Sequence, residues 1–291
     1  MYNEEFDKYY KEQLIQGGTT CCPGCGGPLF WKLALKTFGP NTIVYGDGPC
    51  AMCALRSIKV PHYGIHFSFV ADGATGISAA LRARGREDVT LISSAGDGAS
   101  ADISLGKISA AAERNENFLQ ICVDNEAYMN TGIQKSGLTP YGAWTTTTPR
   151  GKESNKKDVP MIIAAHKVPY VATASVAYPQ DLARKLEKAK GIKGFKFLHT
   201  VIPCPTGWRF DPAKSVEVTR LGVDTWVNPL YEIEEGVLKV SRKAEAKPVQ
   251  EYLKAQGRFR QLTEDQISYV QGEVDKKRDD LLNNDGKKVI H

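Results

Sequence analysis

Residues 89–134 read VTLISSAGDGASADISLGKISAAAERNENFLQICVDNEAYMNTGIQ, and this stretch decides the fold. A short apolar run, Val89 to Ser94, is followed by apolar residues at near-helical spacing from Ala101 to Ala112 and by a second apolar run, Phe118 to Val123. Strand, helix and strand in that order predict two parallel strands joined by a right-handed crossover. The crossover brings Gly96-Asp97-Gly98 and Asp124-Asn125 to one carboxyl edge of the sheet, where open α/β sheets bind ligands.

The residue types at that edge suit a phosphate and a hard cation. Gly96 and Gly98 carry no side chains, so backbone can approach a phosphate, and the following helix points free N–H groups and its positive dipole end at the same place. Asp97 and Asn125 offer hard oxygens of the kind that hold Mg²⁺ or Ca²⁺ against a phosphate. Alone, the GDG triplet fits a capped strand-to-helix turn equally well.

The second half of the stretch separates these readings. Asn125 follows Asp97 by 28 positions, and this GDG-to-Asn spacing resembles the thiamine diphosphate and metal-binding motif of thiamine-dependent enzymes. The longer segments 124–134 (DNEAYMNTGIQ) and 139–152 (TPYGAWTTTTPRGK) are similar to the β subunit of archaeal and bacterial pyruvate:ferredoxin oxidoreductases and their 2-oxoacid relatives. The resemblance runs from about Cys22 to about Arg260 and takes in 169–178 (PYVATASVAY) and 203–212 (PCPTGWRFDP).

The resemblance implies an α/β fold of the thiamine diphosphate-binding, pyrophosphate-domain type: a parallel sheet with helices on both faces and a C-terminal extension. Residues 1–210 would form the thiamine diphosphate- and iron–sulfur-binding domain, and 211–291 an extension that contacts another subunit. Asp97, Asn125 and the carbonyl of Ala127 would hold Mg²⁺ on the diphosphate, Gly96 and Gly98 would cradle it, and Asn130 would sit beside the thiazolium and a bound 2-oxoacid. Activation of the cofactor needs a carboxylate that no residue here matches; the family takes that Glu from its α subunit, so this chain alone is expected to be inactive. Further γ and δ ferredoxin-like subunits, ferredoxin and, with pyruvate, coenzyme A complete the implied partners.

Seven cysteines in a chain with no apolar leader argue for metal or reduced thiols over a disulfide framework. Cys22 and Cys25 form a CxxC, and Cys50 follows Cys25 by 25 positions. From the residues alone a thioredoxin-like pair, a zinc site completed by Cys50 and Cys53, and a [4Fe–4S] cluster all stand. The resemblance implies the cluster, on Cys22, Cys25, Cys50 and Cys204. Cys21 and Cys53 are left near those positions, and Cys122 falls in an apolar strand as a small buried residue.

Composition narrows the remaining classes. A chain of 291 residues can bury about three quarters of its unfolded surface. Its 42% hydrophobic and 24% charged residues are those of an ordinary globular protein, and no run is long enough to span a bilayer. A cytoplasmic location follows as the expectation. The net charge of +5 is scattered among acids, with no basic stripe interleaved with aromatics, which argues against nucleic acid and leaves room for steering an acidic partner.

Residues 1–18 form a polar arm; 28–38 a helix with Leu29, Leu33, Leu35 and Phe38 as core; 42–45 a strand; and the second GDG, 46–48, a turn leading to Cys50 without a matching helix. His62 and His66 lie near a strand-like run from His66 that leads into a helix of small residues, and a structural role is the default for each. Residues 135–158 are a long polar loop of the kind usually kept for function. Beyond Asp211 the sequence carries no visible chemistry.

Substrate is less determined. Pyruvate with coenzyme A is the first reading, but the cysteine surroundings, CCPGCGG (21–27) and GDGPCAMC (46–53), depart from the pyruvate-type pattern, so oxalate, glyoxylate or an aryl-glyoxylate also fit. Two other classes need fewer parts: a non-redox thiamine-dependent decarboxylase or synthase, without a cluster, and a metal-binding electron-transfer subunit, without the diphosphate.

Overall fold

A computed structural model describes residues 13–47 and 49–291. The expected arm at 1–18 lies outside the described residues as far as position 12, and so does Gly48 of the second GDG.

Eight strands form one sheet in the order β2-β1-β3-β4-β6-β5-β7-β8. They are β1 (Thr42–Asp47), β2 (His62–Ile65), β3 (Thr90–Gly96), β4 (Leu119–Asp124), β5 (Tyr170–Ser175), β6 (Lys196–Val201), β7 (Tyr231–Glu234) and β8 (Val237–Val240). The first six are mutually parallel; β7 runs antiparallel to β5, and β8 to β7. The sequence reading, which ended the sheet before 211, contains the parallel part. It misses β7 and β8 because each has only four residues, too few to show a strand period clearly.

The helices are α1 (Gly27–Phe38), α2 (Pro49–Leu55), α3 (Val70–Ala83), α4 (Leu105–Glu113), α5 (Val159–Ala164), α6 (Pro179–Gly191), α7 (Pro205–Trp208), α8 (Ser215–Asp224), α9 (Val249–Lys254) and α10 (Glu264–Asn283). Strand residues alternate between two cores, as a two-fold side-chain period requires. In β4, Leu119, Ile121 and Val123 face the layer of α1 and α6, whereas Cys122 faces the layer of α3, α4 and α5. Every residue of β4, β5 and β6 is buried, the signature of strands covered on both faces.

Three local expectations change. The core face of α1 is Phe30, Trp31, Ala34, Leu35 and Phe38, while Leu29 is exposed. The strand near the histidines is His62–Ile65, one step before His66. A helix, α2, does follow the second GDG; it carries Cys50 and Cys53.

The connections explain where the site lies. From β1 the chain crosses to β2 on one side, and from β3 to β4 on the other, so the neighbouring carboxyl ends of β1 and β3 diverge and leave a crevice. Below the crevice the two strands stay paired as far as Gly46 and Ser94, and Gly46 permits this because a Cβ there would lie 2.9 Å from Ser94 O.

Candidate active site at the carboxyl edge

The crevice holds a pocket of about 170 Å³ lined by Gly96, Asp97, Gly98, Asn125, Ala127 and Asn130, together with Phe67, Met129 and Cys50. All six cofactor residues expected from the sequence therefore meet in one place. A larger cavity, about 300 Å³, lies on the far side of 124–126, between the ends of β5 and β6 and α10. The smaller one carries the converging oxygens, so chemistry rather than volume marks the site.

The two glycines do different jobs. A Cβ at Gly96 would meet nothing within 4 Å, which leaves open space where a diphosphate could approach. A Cβ at Gly98 would overlap the Tyr128 ring, whose hydroxyl donates to Gly98 O at 3.1 Å and Asp102 Oδ2 at 3.3 Å. Gly98→Ala is expected to lower the thermal midpoint, at a cost of about 1–3 kcal/mol from overpacking, whereas Gly96→Ala leaves the melt unchanged and weakens diphosphate binding. Melting curves and cofactor titration of the two variants check this.

The α-helix expected from Ala101 begins only at Leu105. The chain first makes one wide turn, with Ser104 N donating to Ala99 O at 2.8 Å, five residues back, before α4 begins at Leu105. The extra residue turns Asp102 toward Gly137 N, at 2.8 Å, and Lys157 Nζ, at 2.7 Å, tying the crevice floor to the long loop.

Asp97 is 2% exposed and accepts from Ser136 Oγ. Burial, and then the charge of Asp124, push its carboxyl well above the usual carboxylate range. Asp124 is buried too, but Lys156 and His199 outweigh burial and hold its carboxyl low. Among the described residues no Lys, Arg or His forms an ion pair with Asp97.

The Asn125 amide lies 3.1 Å from Asp97 Oδ1 and 2.8 Å from the Ala127 carbonyl oxygen. Nitrogen at that position would donate to both; oxygen there faces both, an arrangement favourable around a shared cation. Asn130 lines the pocket in a turn closed by Tyr128 N donating to Gln134 O at 2.9 Å.

The cysteines approach from the other side. Gly26 N donates to Pro203 O at 3.5 Å, laying the Cys22–Cys25 turn against the segment that carries Cys204. Cys25 Sγ accepts from Gly27 N and Cys204 Sγ from Gly207 N, each at 3.4 Å. Burial pushes the thiols of Cys25 and Cys50 up to about 12, with Cys204 and Cys22 adding to both. Cys22, Cys25, Cys50 and Cys204 thus share one neighbourhood. Among the described residues, however, no three Cys, His, Asp or Glu side chains are gathered closely enough to hold a metal ion. Cys122 is fully buried in β4, as expected of a small apolar residue, while Cys21 packs against the α1 core. His66 is exposed and bonds Ser68 Oγ at 2.8 Å, outside the pocket lining.

Several residues that shape the site had no signal in the sequence. Met129 lines the pocket and also fills the space a Cβ at Gly207 would need, beside Cys204. Ser136, Lys156 and Arg258 reach Asp97, Asp124 and Glu126 from 39, 32 and 132 positions away, so no short spacing could expose them.

Comparison with known proteins gives the family. Residues 52–200 match the thiamine pyrophosphate enzyme, C-terminal TPP binding domain. The chain is 48% identical over 279 residues to pyruvate synthase subunit PorB of Methanothermobacter thermautotrophicus, covering 92% of this chain and 97% of that one. This chain is a β subunit of the pyruvate:ferredoxin oxidoreductase family. Within the family it is also 43% identical to ketoisovalerate oxidoreductase subunit VorB of Pyrococcus furiosus, over 89% of each chain. A more distant relative is the NADH-dependent phenylglyoxylate dehydrogenase subunit beta of Aromatoleum evansii, 39% identical over 94% of this chain and 64% of that one. The fold matches a solved 2-oxoglutarate:ferredoxin oxidoreductase from Magnetococcus marinus with a TM-score of 0.61 at 23% identity, over 72% of this chain and 79% of that one. Among the described residues no helix is long and apolar enough to cross a membrane.

Proposed function

We propose that this family member is the cofactor-holding subunit of an enzyme that oxidatively decarboxylates pyruvate, with coenzyme A as acyl acceptor and ferredoxin as electron acceptor. The observation that carries the cofactor reading is the convergence of the Asp97 carboxyl, the Asn125 amide and the Ala127 carbonyl, with the amide 3.1 and 2.8 Å from the other two; with its oxygen turned inward the amide would complete a three-oxygen set. An octahedral Mg²⁺ with bonds of about 2.0–2.1 Å sets adjacent oxygens about 2.9 Å apart, whereas Ca²⁺ bonds of about 2.3–2.6 Å spread them further. A buried carboxyl that pairs with no Lys, Arg or His among the described residues asks for the same ion.

Thiamine diphosphate, when bound, supplies a carbanion nucleophile and electron sink for the 2-oxoacid. The chain's own residues then have separate tasks. Asp97, Asn125 and the Ala127 carbonyl would hold Mg²⁺ on the diphosphate, and Gly96 leaves the space for it. Asn130, in the pocket wall, would orient the 2-oxoacid; Phe67 and Met129 give that wall an apolar surface that excludes water. Cys22, Cys25, Cys50 and Cys204 would hold a [4Fe–4S] cluster, a reading supported by their soft thiols and by the backbone N–H groups on two of them. Their side chains would have to draw together to form a ligand set.

The activating Glu would come from an α subunit over the open face of the crevice, and residues 211–291 would offer surface to a neighbouring subunit. Further γ and δ ferredoxin-like subunits would carry electrons outward, in the cytoplasm. Pyruvate is favoured because the relatives at 48% identity are pyruvate synthase subunits. The test is viologen reduction by the complex, purified without oxygen, on pyruvate, 3-methyl-2-oxobutanoate, phenylglyoxylate, glyoxylate and oxalate, with and without coenzyme A. Coenzyme A-dependent preference for pyruvate is expected. Preference for another acid overturns the substrate, and no reduction with any of them overturns the reading itself.

A further inference from the structure

The turn that carries Asn125 and Ala127 is built on buried charge. Glu126, between them, has φ of 68°, a left-handed conformation that a side chain other than glycine holds only when its surroundings impose it. Its carboxylate is buried and held from two directions, by Lys156 Nζ at 2.6 Å and by Arg258 Nη2. Asp124, at the start of the turn, accepts from Glu126 N at 2.8 Å, from Lys156 Nζ at 3.3 Å and from His199 Nε2 at 2.8 Å.

Arg258 is 2% exposed. Its guanidinium centre lies 4.2 Å from the centroid of the Trp208 ring, and its Nε donates to Gln256 Oε1 at 2.9 Å. The indole Nε1 of Trp208 in turn donates to Asn125 O at 2.8 Å. One stacked unit therefore holds the turn at two points, the Glu126 carboxylate and the Asn125 carbonyl. Neither Arg258 nor Trp208 lines the pocket.

We infer that Arg258, acting with Trp208 and Lys156, is a positioning residue for the cation site: it imposes the left-handed turn that aims the Asn125 amide and the Ala127 carbonyl at Asp97. This rests on the cation reading proposed above. It gives a role at the site to a segment, 249–262, in which the sequence reading saw no chemistry.

The test is calorimetric titration of Mg²⁺ into the metal-stripped complex with excess thiamine diphosphate, beside a thermal melt of the metal-free complex. Arg258→Lys keeps the charge but loses the planar, stacked fork. The double variant Glu126→Gln/Arg258→Met removes the pair without stranding a buried charge, and it carries the test if Arg258→Lys does not fold. Half-saturating Mg²⁺ is expected to rise about 10- to 100-fold in whichever variants fold, the range found when groups that orient metal ligands are removed. A residue that served stability alone would shift the melt and leave the titration where it was. Folded variants that titrate like the parent, while Asp97→Asn abolishes the signal, overturn the positioning role. A signal that survives in Asp97→Asn overturns the cation reading instead.

Discussion

Replacing Asp97 by Ala is expected to abolish turnover of the assembled complex and to weaken Mg²⁺-dependent retention of thiamine diphosphate at least about 100-fold, since even removing groups that merely orient a ligand costs up to that much. Asp97 is 2% exposed, burial raises its carboxyl far above the usual range, and Asp124 adds a like charge. Ionising such a group costs stability unless a cation arrives to share it. A fold shaped for stability alone would place an amide or a hydroxyl there. The same substitution should therefore leave the metal-free complex at least as heat-stable as the parent. Cofactor content after desalting, viologen reduction and a melt in chelator give the three readings. A variant that keeps its thiamine diphosphate and its activity would sink the assignment of this crevice.

The second large effect is expected at Cys204. It caps the first turn of α7, where Gly207 N donates to its sulfur at 3.4 Å. Burial keeps the nearby Cys25 and Cys50 thiols protonated at neutral pH, with values up to about 12. Such thiols are poor nucleophiles, and a bound metal would deprotonate them outright. Cys204→Ser should strip most of the iron and sulfide from the complex purified without oxygen and bring viologen reduction to background. Mg²⁺ titration with thiamine diphosphate should be unchanged, because Cys204 does not line the pocket. Cys21→Ser and Cys53→Ser should both keep their iron. Unchanged iron in Cys204→Ser, or its loss in Cys53→Ser, would move the fourth ligand elsewhere.

How much of this was legible in the sequence depended on distance along the chain. The crossover unit 89–134 could be read because its strands, helix and polar edge follow local periods, and Asp97 and Asn125 sit at a spacing fixed by that unit. The parallel sheet followed from it. Asn130 and Ala127 came with the same segment. Residues whose roles depend on tertiary contacts were silent. Glu126 looks like an ordinary surface acid until Lys156 and Arg258, 30 and 132 positions downstream, fold onto it. Ser136 belongs to a loop whose polar composition reads as exposed, yet Lys152 within that loop is 5% exposed and donates to Thr139 O at 2.6 Å and Asn155 O at 3.3 Å. The face of α1 was misjudged at Leu29, an apolar residue that lies just off the buried stripe of Phe30, Trp31, Ala34, Leu35 and Phe38 and is exposed.

The pairing of Glu126 with Arg258 also sets an order of events during synthesis. The carboxylate leaves the ribosome 132 residues before its guanidinium partner. At about 5–20 residues per second, that gap is roughly 7 to 26 s in which the turn has no Arg to hold it. The crossover unit can form its strands in that time, but the turn beside Asp97 is completed by a segment that emerges well after it. The nascent chain thus gains its sheet early and its competence for the cofactor late, and a ribosome that stalls before residue 258 releases a crevice without a finished floor.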